Sequence, residues 1–535
     1  MKKVMQLKGI TIVSIILLFA FFSSCNKILD VNADDYVITA DGYYSTEEQL
    51  ETALRGVYAT LAESGLYANY MIGRMALDAD EGYFNYATDL GTIGYNSIST
   101  SDAKILAYWQ KLYAGINRAN FLLANVDNTS IDITDSVRNV IKGSALFLRG
   151  YYYYMLVTKF GGVPLVLAPT ESGDAENVQV ARASAKEVYE QILTDMETAA
   201  DMVPSAEQVQ YGGYVSQSAI WGILARVCLH EAGSPVNETS RYADAATYAQ
   251  KVINTGMHEL DTSYQQIFVN YAQDLYDIKE SIWEVEFYGN NTGVYTATAG
   301  MVGRNNGIKY TGTAADFGYS IGVIYTTQWL YDLYDEDDIR RDWAIAPYRY
   351  VADTIQYFSS STNVLQRNAG KFRREYETLL PKSTAATPQN FPLLRYSDVL
   401  LMYAEAENEV NSGPTDEAYE AINQVRRRAM GVDIYTSNSS VDLSSMSYAT
   451  FKAEIKDERA RELCFEDLRR DDLIRWGDYY TNMKVRLLEV SSTSTTTYLT
   501  YFLQYFGNVG TRDVLWPIPS YELGVNAKLV QNDGW

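Results

Sequence analysis

The sequence predicts a mainly α-helical protein in which paired helices form a scaffold and a large, irregular, loop-rich face carries a few short strands. Apolar residues recur at helical spacing over about 45–255 and 396–480. Two helix-turn-helix units with closely spaced alanines resemble tetratricopeptide repeats, whose period is ~34 residues. Residues 256–395, between these regions, are rich in Gly, Asn, Thr and Tyr and show little helical periodicity.

The chain begins with a segment typical of an exported lipoprotein. Basic residues precede an apolar run over residues 10–22, which is too short to span a bilayer. Small residues then lead to Cys25, and this order resembles a lipobox, in which the cysteine is acylated. We therefore expect residues 1–24 to be a signal peptide and Cys25 to carry a lipid anchor. An ordinary cleaved signal with an incidental cysteine is the alternative.

Two scaffold helices begin at capping boxes, in which a Ser or Thr is followed three residues later by Glu or Gln. Thr46 to Gln49 opens the first helix, and Ser184 to Glu187 opens a later one. A long helix between them ends at Gly161-Gly162, a helix stop signal. The other scaffold helices are predicted from apolar periodicity at about 102–126, 135–160, 216–233, 241–255, 396–411 and 415–430.

The segments 64–100 and 256–395 differ from the scaffold and are expected to form a ligand face. Both combine glycine, polar residues and tyrosine, and the longer one contains a predicted strand at 281–287. Loop regions of this length in a compact protein are usually functional. We therefore interpret the helices as scaffold and these two segments as working surface.

Composition limits the possible partners. The net charge of −23 argues against nucleic acid, because a phosphate backbone must be neutralised by Lys and Arg. A neutral ligand carries no such penalty, and the 45 tyrosines offer flat faces and hydroxyl groups that suit sugar rings. Most of these tyrosines are expected to fill helix interfaces. After Cys25 only Cys228 and Cys464 remain, and both are expected to be buried thiols.

No catalytic residue, metal site or cofactor is predicted. Residues 318–322 fit the G-x-S-x-G pattern of a nucleophile elbow, a fold in which a histidine must follow the serine. His230 and His258 both precede Ser320, so this order is not met. Glycoside hydrolysis needs only two placed carboxylates, and with 67 Asp and Glu the motifs alone leave it open.

A series of motifs runs along nearly the whole mature length and matches one family in order. The most specific is the run Phe391–Ala406, in which Leu393-Leu394-Arg395-Tyr396 leads into an apolar helix. The others are Cys25–Asp30, Tyr108–Tyr113, Ala145–Tyr154, Phe160–Leu165, Asn423–Arg426, Glu458–Leu463, Arg475–Gly477 and Pro517–Trp535. On these residues the chain resembles the SusD/RagB family of outer-membrane nutrient-binding lipoproteins.

The resemblance implies a SusD-like domain over 25–535 that is held at the outer membrane through Cys25 and exposed on the cell surface. It also implies binding of an oligosaccharide or polysaccharide and partnership with a SusC-like TonB-dependent transporter, and it implies no enzyme activity. A peptide-capturing lid of a peptide importer is the second hypothesis, because some relatives serve peptide uptake. A glycoside hydrolase is a distant third.

The resemblance also points to ligand residues. In the relatives one ligand aromatic follows an acidic segment, which here precedes Tyr83 and Phe84, and two others follow the strand near 281–287. We therefore predict that Tyr83, Phe84, Tyr295 and Tyr319 stack on sugar, with loop-anchoring aromatics as the alternative at each position. The charged motif residues lie in apolar helices and are expected to form internal ion pairs instead. They are Arg395, Arg426, Arg459, Arg475, Glu405, Glu458 and Glu462.

Overall fold

The computed structural model describes residues 43–71, 79–170, 179–291, 299–359 and 362–535 and confirms the mainly helical prediction. The first half contains α1 Glu47–Tyr58, α2 Ala103–Asn125, α3 Asp135–Phe160, α4 Ala185–Ala200, α5 Ala206–Val209, α6 Gln217–Ala232, α7 Arg241–Asn254 and α8 Tyr264–Gln273. Three short helices follow, α9 Val302–Asn306, α10 Gln328–Asp332 and α11 Arg341–Ala344. The last part contains α12 Tyr396–Asn411, α13 Asp416–Ala429, α14 Tyr448–Leu463, α15 Arg469–Arg475, α16 Tyr479–Val485, α17 Thr497–Gly507 and α18 Ser520–Val525.

The long helices form a stack in which each one packs against the next. Helices α1, α2, α3, α4, α6 and α7 follow one another, and α12 then packs on α7 although more than a hundred residues separate them in the chain. Both predicted capping boxes are present, with the Thr46 side chain accepting from Gln49 N–H and the Ser184 side chain accepting from Glu187 N–H. The helix-pair scaffold is therefore continuous although its sequence is interrupted.

Among the described residues, six short strands form three separate antiparallel pairs. Strand β1 Gly82–Phe84 pairs with β3 Ile324–Thr326, and β2 Ser281–Val285 pairs with β6 Phe391–Arg395. Strands β4 Tyr348–Val351 and β5 Thr354–Tyr357 form a hairpin. The predicted strand at 281–287 is confirmed, and its partner β6 leads straight into α12. The pairs β1–β3 and β4–β5 lie in the regions predicted to be loop-rich.

Two hydrophobic clusters support these layers. The larger one fills the helix stack and includes Trp283 and Trp516. The smaller one lies beneath the loop-rich face and joins Tyr83, Phe84 and Phe502 from distant parts of the chain. Much of the described part of 64–100, which was predicted to belong to the ligand face, contributes to the core, because Leu66, Tyr67, Tyr83, Phe84 and Tyr95 are all buried.

A buried ion-pair network joins the scaffold to the strands, as predicted from the motif residues. Arg395 at the end of β6 donates to Glu466 over 2.7 Å, to Glu462 over 2.8 Å and to Glu280 over 2.8 Å. Arg459 pairs with Asp398 and Asp472, and Arg475 pairs with Glu405 and Asp472. Arg426 pairs with Glu454 and Glu458. The guanidinium groups of Arg340, Arg461 and Arg426 hold the pKa of Glu458 down at about 2 despite its burial.

The remaining sequence-level predictions concern single residues. Cys228 and Cys464 are buried free thiols, as expected. The hydroxyl of Ser320 donates to the carbonyl of Arg304 inside a tight loop, flanked by Gly318 and Gly322 at positive φ. In the part of the chain that the structure describes, no helix is long and apolar enough to cross a membrane, and no His, Cys, Asp and Glu side chains group as metal ligands. Residues 1–24 and Cys25 lie outside the described residues.

Candidate functional site

A cleft of about 450 Å³ opens on the loop-rich face, between the β4–β5 hairpin, β3 and the start of α17. We call it the tyrosine cleft. Its lining residues are Asn85, Lys309, Tyr310, Thr311, Gly312, Tyr325, Arg349, Tyr350, Ala352, Gln366, Asn368 and Tyr498. The cleft therefore brings together side chains from six separate segments of the chain.

One wall of the cleft is an aromatic pair fixed by carboxylates. The rings of Tyr310 and Tyr350 meet edge to face with centroids 5.1 Å apart, and Phe317 packs against both. The Tyr310 hydroxyl donates to Asp353 over 2.5 Å and the Tyr350 hydroxyl donates to Glu375. Because the hydroxyl groups are already bonded, these two rings are held in place before any ligand arrives.

The floor of the cleft is Tyr325, the central residue of β3. Tyr325 pairs with Tyr83 across the β1–β3 ladder, their ring centroids are 5.8 Å apart, and Tyr325 is half-buried. Burial raises the pKa of Tyr325, so its hydroxyl stays protonated in the physiological range. Asn368 braces the same strand, because its amide donates to the carbonyls of Gly322 and Ile324 over 3.0 and 3.2 Å.

The third side of the cleft joins a short 3₁₀ turn, Val364–Gln366, to the first turn of α17. The amide of Gln366 donates to the hydroxyl of Tyr498 over 3.2 Å. Tyr498 is half-buried, so part of its ring faces the cleft. Asn85, directly after β1, places a further amide there, and its side chain has no hydrogen-bond partner among the described residues. Aromatic faces and amide groups thus converge on one space.

Two of the predicted ligand residues lie beneath the cleft rather than in it. Tyr83 and Phe84 fill the core beneath the loop-rich face, and their exposed fractions are 0% and 1%. Tyr83 packs on Phe502 and donates to the carbonyl of Leu365 over 2.5 Å. Tyr83 therefore contacts the residues on either side of the cleft, Tyr325 and the turn that carries Gln366, and positions them without offering a free ring face.

Of the other two predicted residues, Tyr319 is not among the described residues that line the cleft. Tyr319 is half-buried, next to Ser320, whose backbone pairs with that of Tyr310. The Arg304 guanidinium lies 6.0 Å from the Tyr319 ring centroid. Tyr295 lies outside the described residues. A role in sugar stacking for Tyr295 and Tyr319 stays a prediction.

Two of the lining residues lie in a stretch of sequence that weakly predicts a β-hairpin. The run from Tyr348 to Tyr357 alternates large and polar residues around Ala352-Asp353, which is the pattern of a hairpin. This pattern would have indicated Arg349 and Tyr350. Tyr498 has no local signal, because its place in the cleft depends on how α17 packs on β1.

A second cleft of about 460 Å³ lies on the scaffold, where α1 and α3 meet the segment 204–215. Its lining combines aliphatic side chains with Tyr58, Tyr211 and Tyr214 and with Glu47, Glu51 and Arg55 of α1. No amide side chain lines it. The tyrosine cleft combines aromatic faces with converging amides, so we take it as the candidate site.

The fold and the cleft define a class, a helical-scaffold protein with a ligand cleft built from loops and short strands. Two family models and the relatives described below show that the chain is similar to the SusD/RagB family along most of its length. A family model described as "SusD family" matches residues 359–535, and one described as "Starch-binding associating with outer membrane" matches residues 27–229. Most of the cleft's lining, from Lys309 to Ala352, falls between the two matches.

Individual relatives resemble the chain over most of its length. A SusD-like protein P2 from Formosa agariphila is 24% identical, over 93% of this chain and 94% of that protein. The starch-binding protein SusD of Bacteroides thetaiotaomicron is 25% identical, over 88% of this chain and 86% of that protein. The solved structure of a SusD homolog from B. thetaiotaomicron superposes with a TM-score of 0.86 at 28% identity, covering 93% of this chain and 99% of that one.

Proposed function

We propose that this protein captures oligosaccharides at the cell surface in the tyrosine cleft and passes them to a SusC-like TonB-dependent transporter. The observation that carries the proposal is the cleft itself, in which Tyr310, Tyr325, Tyr350 and Tyr498 surround a space bordered by amide groups. The family resemblance and the relative that is a starch-binding protein support the same ligand class.

The chemistry of the cleft matches a sugar ring. The C–H face of a pyranose packs on an aromatic face, and its hydroxyl groups need donors and acceptors at the ring edge. Tyr325 and Tyr498 supply partly open rings, whereas Asn85 and Gln366 supply amides that can both donate and accept. The volume of about 450 Å³ falls within the ~300–1,000 Å³ typical of small-ligand sites.

The proposal does not include hydrolysis of the captured glycan. Glycoside hydrolysis uses a pair of carboxyl groups that flank the scissile bond. None of the lining residues of the tyrosine cleft is Asp or Glu. Incubation of the purified protein with a glycan that it binds should therefore release no new reducing ends.

The binding proposal is tested by affinity electrophoresis and calorimetry against a panel of oligosaccharides and polysaccharides. Loss of an aromatic anchor costs ~2 kcal/mol or more, so Tyr325→Ala and Tyr498→Ala should each weaken binding at least about tenfold. The control is Tyr521→Ala, an exposed tyrosine in α18 that does not line the cleft. Full affinity in the Tyr325→Ala/Tyr498→Ala double variant would place the glycan elsewhere.

A further inference from the structure

The charged side chains that line the tyrosine cleft are positive, whereas the net charge of the whole chain is negative. The protein has a net charge of −23, yet the described residues that line the cleft include two cations, Lys309 and Arg349, and no Asp or Glu. A neutral sugar needs neither cation. Both are exposed and lie on segments joined through the Tyr310–Tyr350 ring contact.

The Arg349 guanidinium is held with one edge unused. Its Nε and Nη2 donate to the side-chain oxygen of Gln356 over 3.0 and 2.9 Å, a neutral partner directly across the hairpin. Its Cζ lies 5.7 Å from the ring centroid of Phe358. Within the described residues Nη1 has no hydrogen-bond partner and the group has no ion pair. A planar guanidinium group that is held through Nε and Nη2 and open at Nη1 is suited to bind a carboxylate or sulfate.

Lys309 adds a second cation whose backbone is fixed while its ammonium group is open. The backbone N–H of Lys309 donates to the side-chain oxygen of Asn368 over 3.1 Å. Gly322 leaves room for the segment that carries Lys309, because a Cβ at position 322 would lie 2.6 Å from the backbone nitrogen of Lys309. The ammonium group of Lys309 makes no hydrogen bond or ion pair to any of the residues that the structure describes.

The carboxylates beside the cleft are engaged by phenol groups. Asp353 accepts from the hydroxyl of Tyr310, and Glu375 accepts from the hydroxyls of Tyr348 and Tyr350. Each carboxylate thus accepts from the aromatic wall, and among the described residues neither forms an ion pair with Arg349. Lys309 and Arg349 therefore line the cleft, whereas the two carboxylates stabilise its aromatic wall.

We infer that the tyrosine cleft selects an anionic glycan, one that carries carboxylate or sulfate groups, through Lys309 and Arg349. The inference rests on the proposed function and adds the class of sugar. The aromatic rings bind the sugar face, and the two cations bind its anionic substituents. Because such charges are exposed, their contribution falls with ionic strength, whereas the stacking contribution does not.

Matched pairs of glycans test this inference on the purified protein. An oligogalacturonide and its methyl ester differ only in carboxylate charge, and a sulfated galactan oligosaccharide and its desulfated form differ only in sulfate. We expect the charged member of at least one pair to bind roughly tenfold or more tightly at low salt, and this advantage should shrink at high salt. The pair that shows the advantage identifies the anion.

The variants assign the effect to the two cations. Lys309→Gln/Arg349→Gln should abolish the preference, so that the charged and neutral members bind with affinities within about twofold of each other. The control Arg55→Gln/Lys528→Gln removes the same charge from exposed positions outside the cleft and should keep the preference. Equal binding of charged and neutral members, or equal loss of the preference in the control, would overturn the inference and leave the proposed function standing. Failure of every glycan to bind would overturn both.

Discussion

Arg395 shows how one charged side chain can hold several elements together. It lies at the junction of β6 and α12, is 1% exposed, and reaches three carboxylates on two other parts of the chain. Glu462 is shared with Arg428 and Arg340, so the pairs form one network. Removal of one member leaves the others buried without their counter-charges.

The first residue-scale prediction is that Arg395→Ala lowers the free energy of unfolding by ~3–5 kcal/mol, the cost of breaking a buried pair. Chemical denaturation measures this loss, and glycan affinity of the folded fraction should stay nearly unchanged. The control Arg55→Ala removes an exposed i,i+4 pair with Glu51 and should cost ~1 kcal/mol or less. A large loss of affinity without loss of stability would make Arg395 a ligand residue instead of a structural one.

The second residue-scale prediction concerns Glu284 on β2. Burial raises its pKa from 4.5 to about 7, against the opposing hydrogen bonds from Ser281 and Asn390. The folded protein therefore keeps a proton that the unfolded chain loses near pH 4.5. The stability that comes from this proton is complete below about pH 4 and is lost as the pH rises through 7, by on the order of 3 kcal/mol.

Glu284→Gln tests this sign, because a neutral amide does not titrate. Urea unfolding should give similar stabilities for the variant and the native protein at pH 5, and a more stable variant at pH 8. Parallel stability curves across this range would show that Glu284 does not titrate as proposed.

At the scale of elements, α6 and β6 approach more closely than side chains normally permit. A methyl group at Gly222 of α6 would lie 2.3 Å from Cδ2 of Leu394, which is 1% exposed and packed within the larger hydrophobic cluster. Nearby, Arg226 of α6 donates to the carbonyl of Leu393 over 2.8 Å. The glycine is thus needed for packing between the helix stack and the strand that ends at Arg395.

We predict that Gly222→Ala destabilises the fold by ~1–3 kcal/mol through overpacking, although Ala is the better helix former. Gly56→Ala in α1 is the matched control, because no neighbour lies within 4 Å of the added methyl group. This control should gain up to ~1 kcal/mol. Thermal unfolding of both variants decides the sign, and a stabilised Gly222→Ala would contradict the close approach.

Elements with local signals were the ones that the sequence predicted correctly. Helices α3 and α12 match their predicted ranges, because apolar periodicity, capping residues and glycine stops are written into neighbouring positions. Strand β6 was not predicted as the partner of β2, since that pairing joins residues about a hundred positions apart. The same limit applies to the site, where Tyr83 was expected to bind and Tyr325, its partner across the ladder, was missed.

At the scale of the whole molecule, the family resemblance and the mainly helical fold were predictable, whereas the position of the ligand cleft was not. Motifs such as Phe391–Ala406 are contiguous and recognisable in one sequence. The tyrosine cleft instead depends on Asn85, Tyr325 and Tyr498 meeting in space. No single stretch of sequence contains that arrangement.

The membrane anchor is a whole-molecule prediction that depends on Cys25. If its thiol is acylated, Cys25→Ala should move the protein from the membrane fraction to the soluble fraction while the fold stays intact. Fractionation followed by immunoblotting measures the shift, and antibody labelling of whole cells tests exposure of the native protein. Equal membrane retention of the variant would contradict a lipid anchor at this residue.

The crystal structure of the protein with an oligosaccharide taken from the binding panel tests the central claim most directly. The account predicts a sugar ring against the face of Tyr325 or Tyr498, with a hydroxyl within hydrogen-bond distance of the Asn85 or Gln366 amide. An oligosaccharide bound in the scaffold cleft beside Tyr58 and Tyr211, with the tyrosine cleft empty, would contradict it.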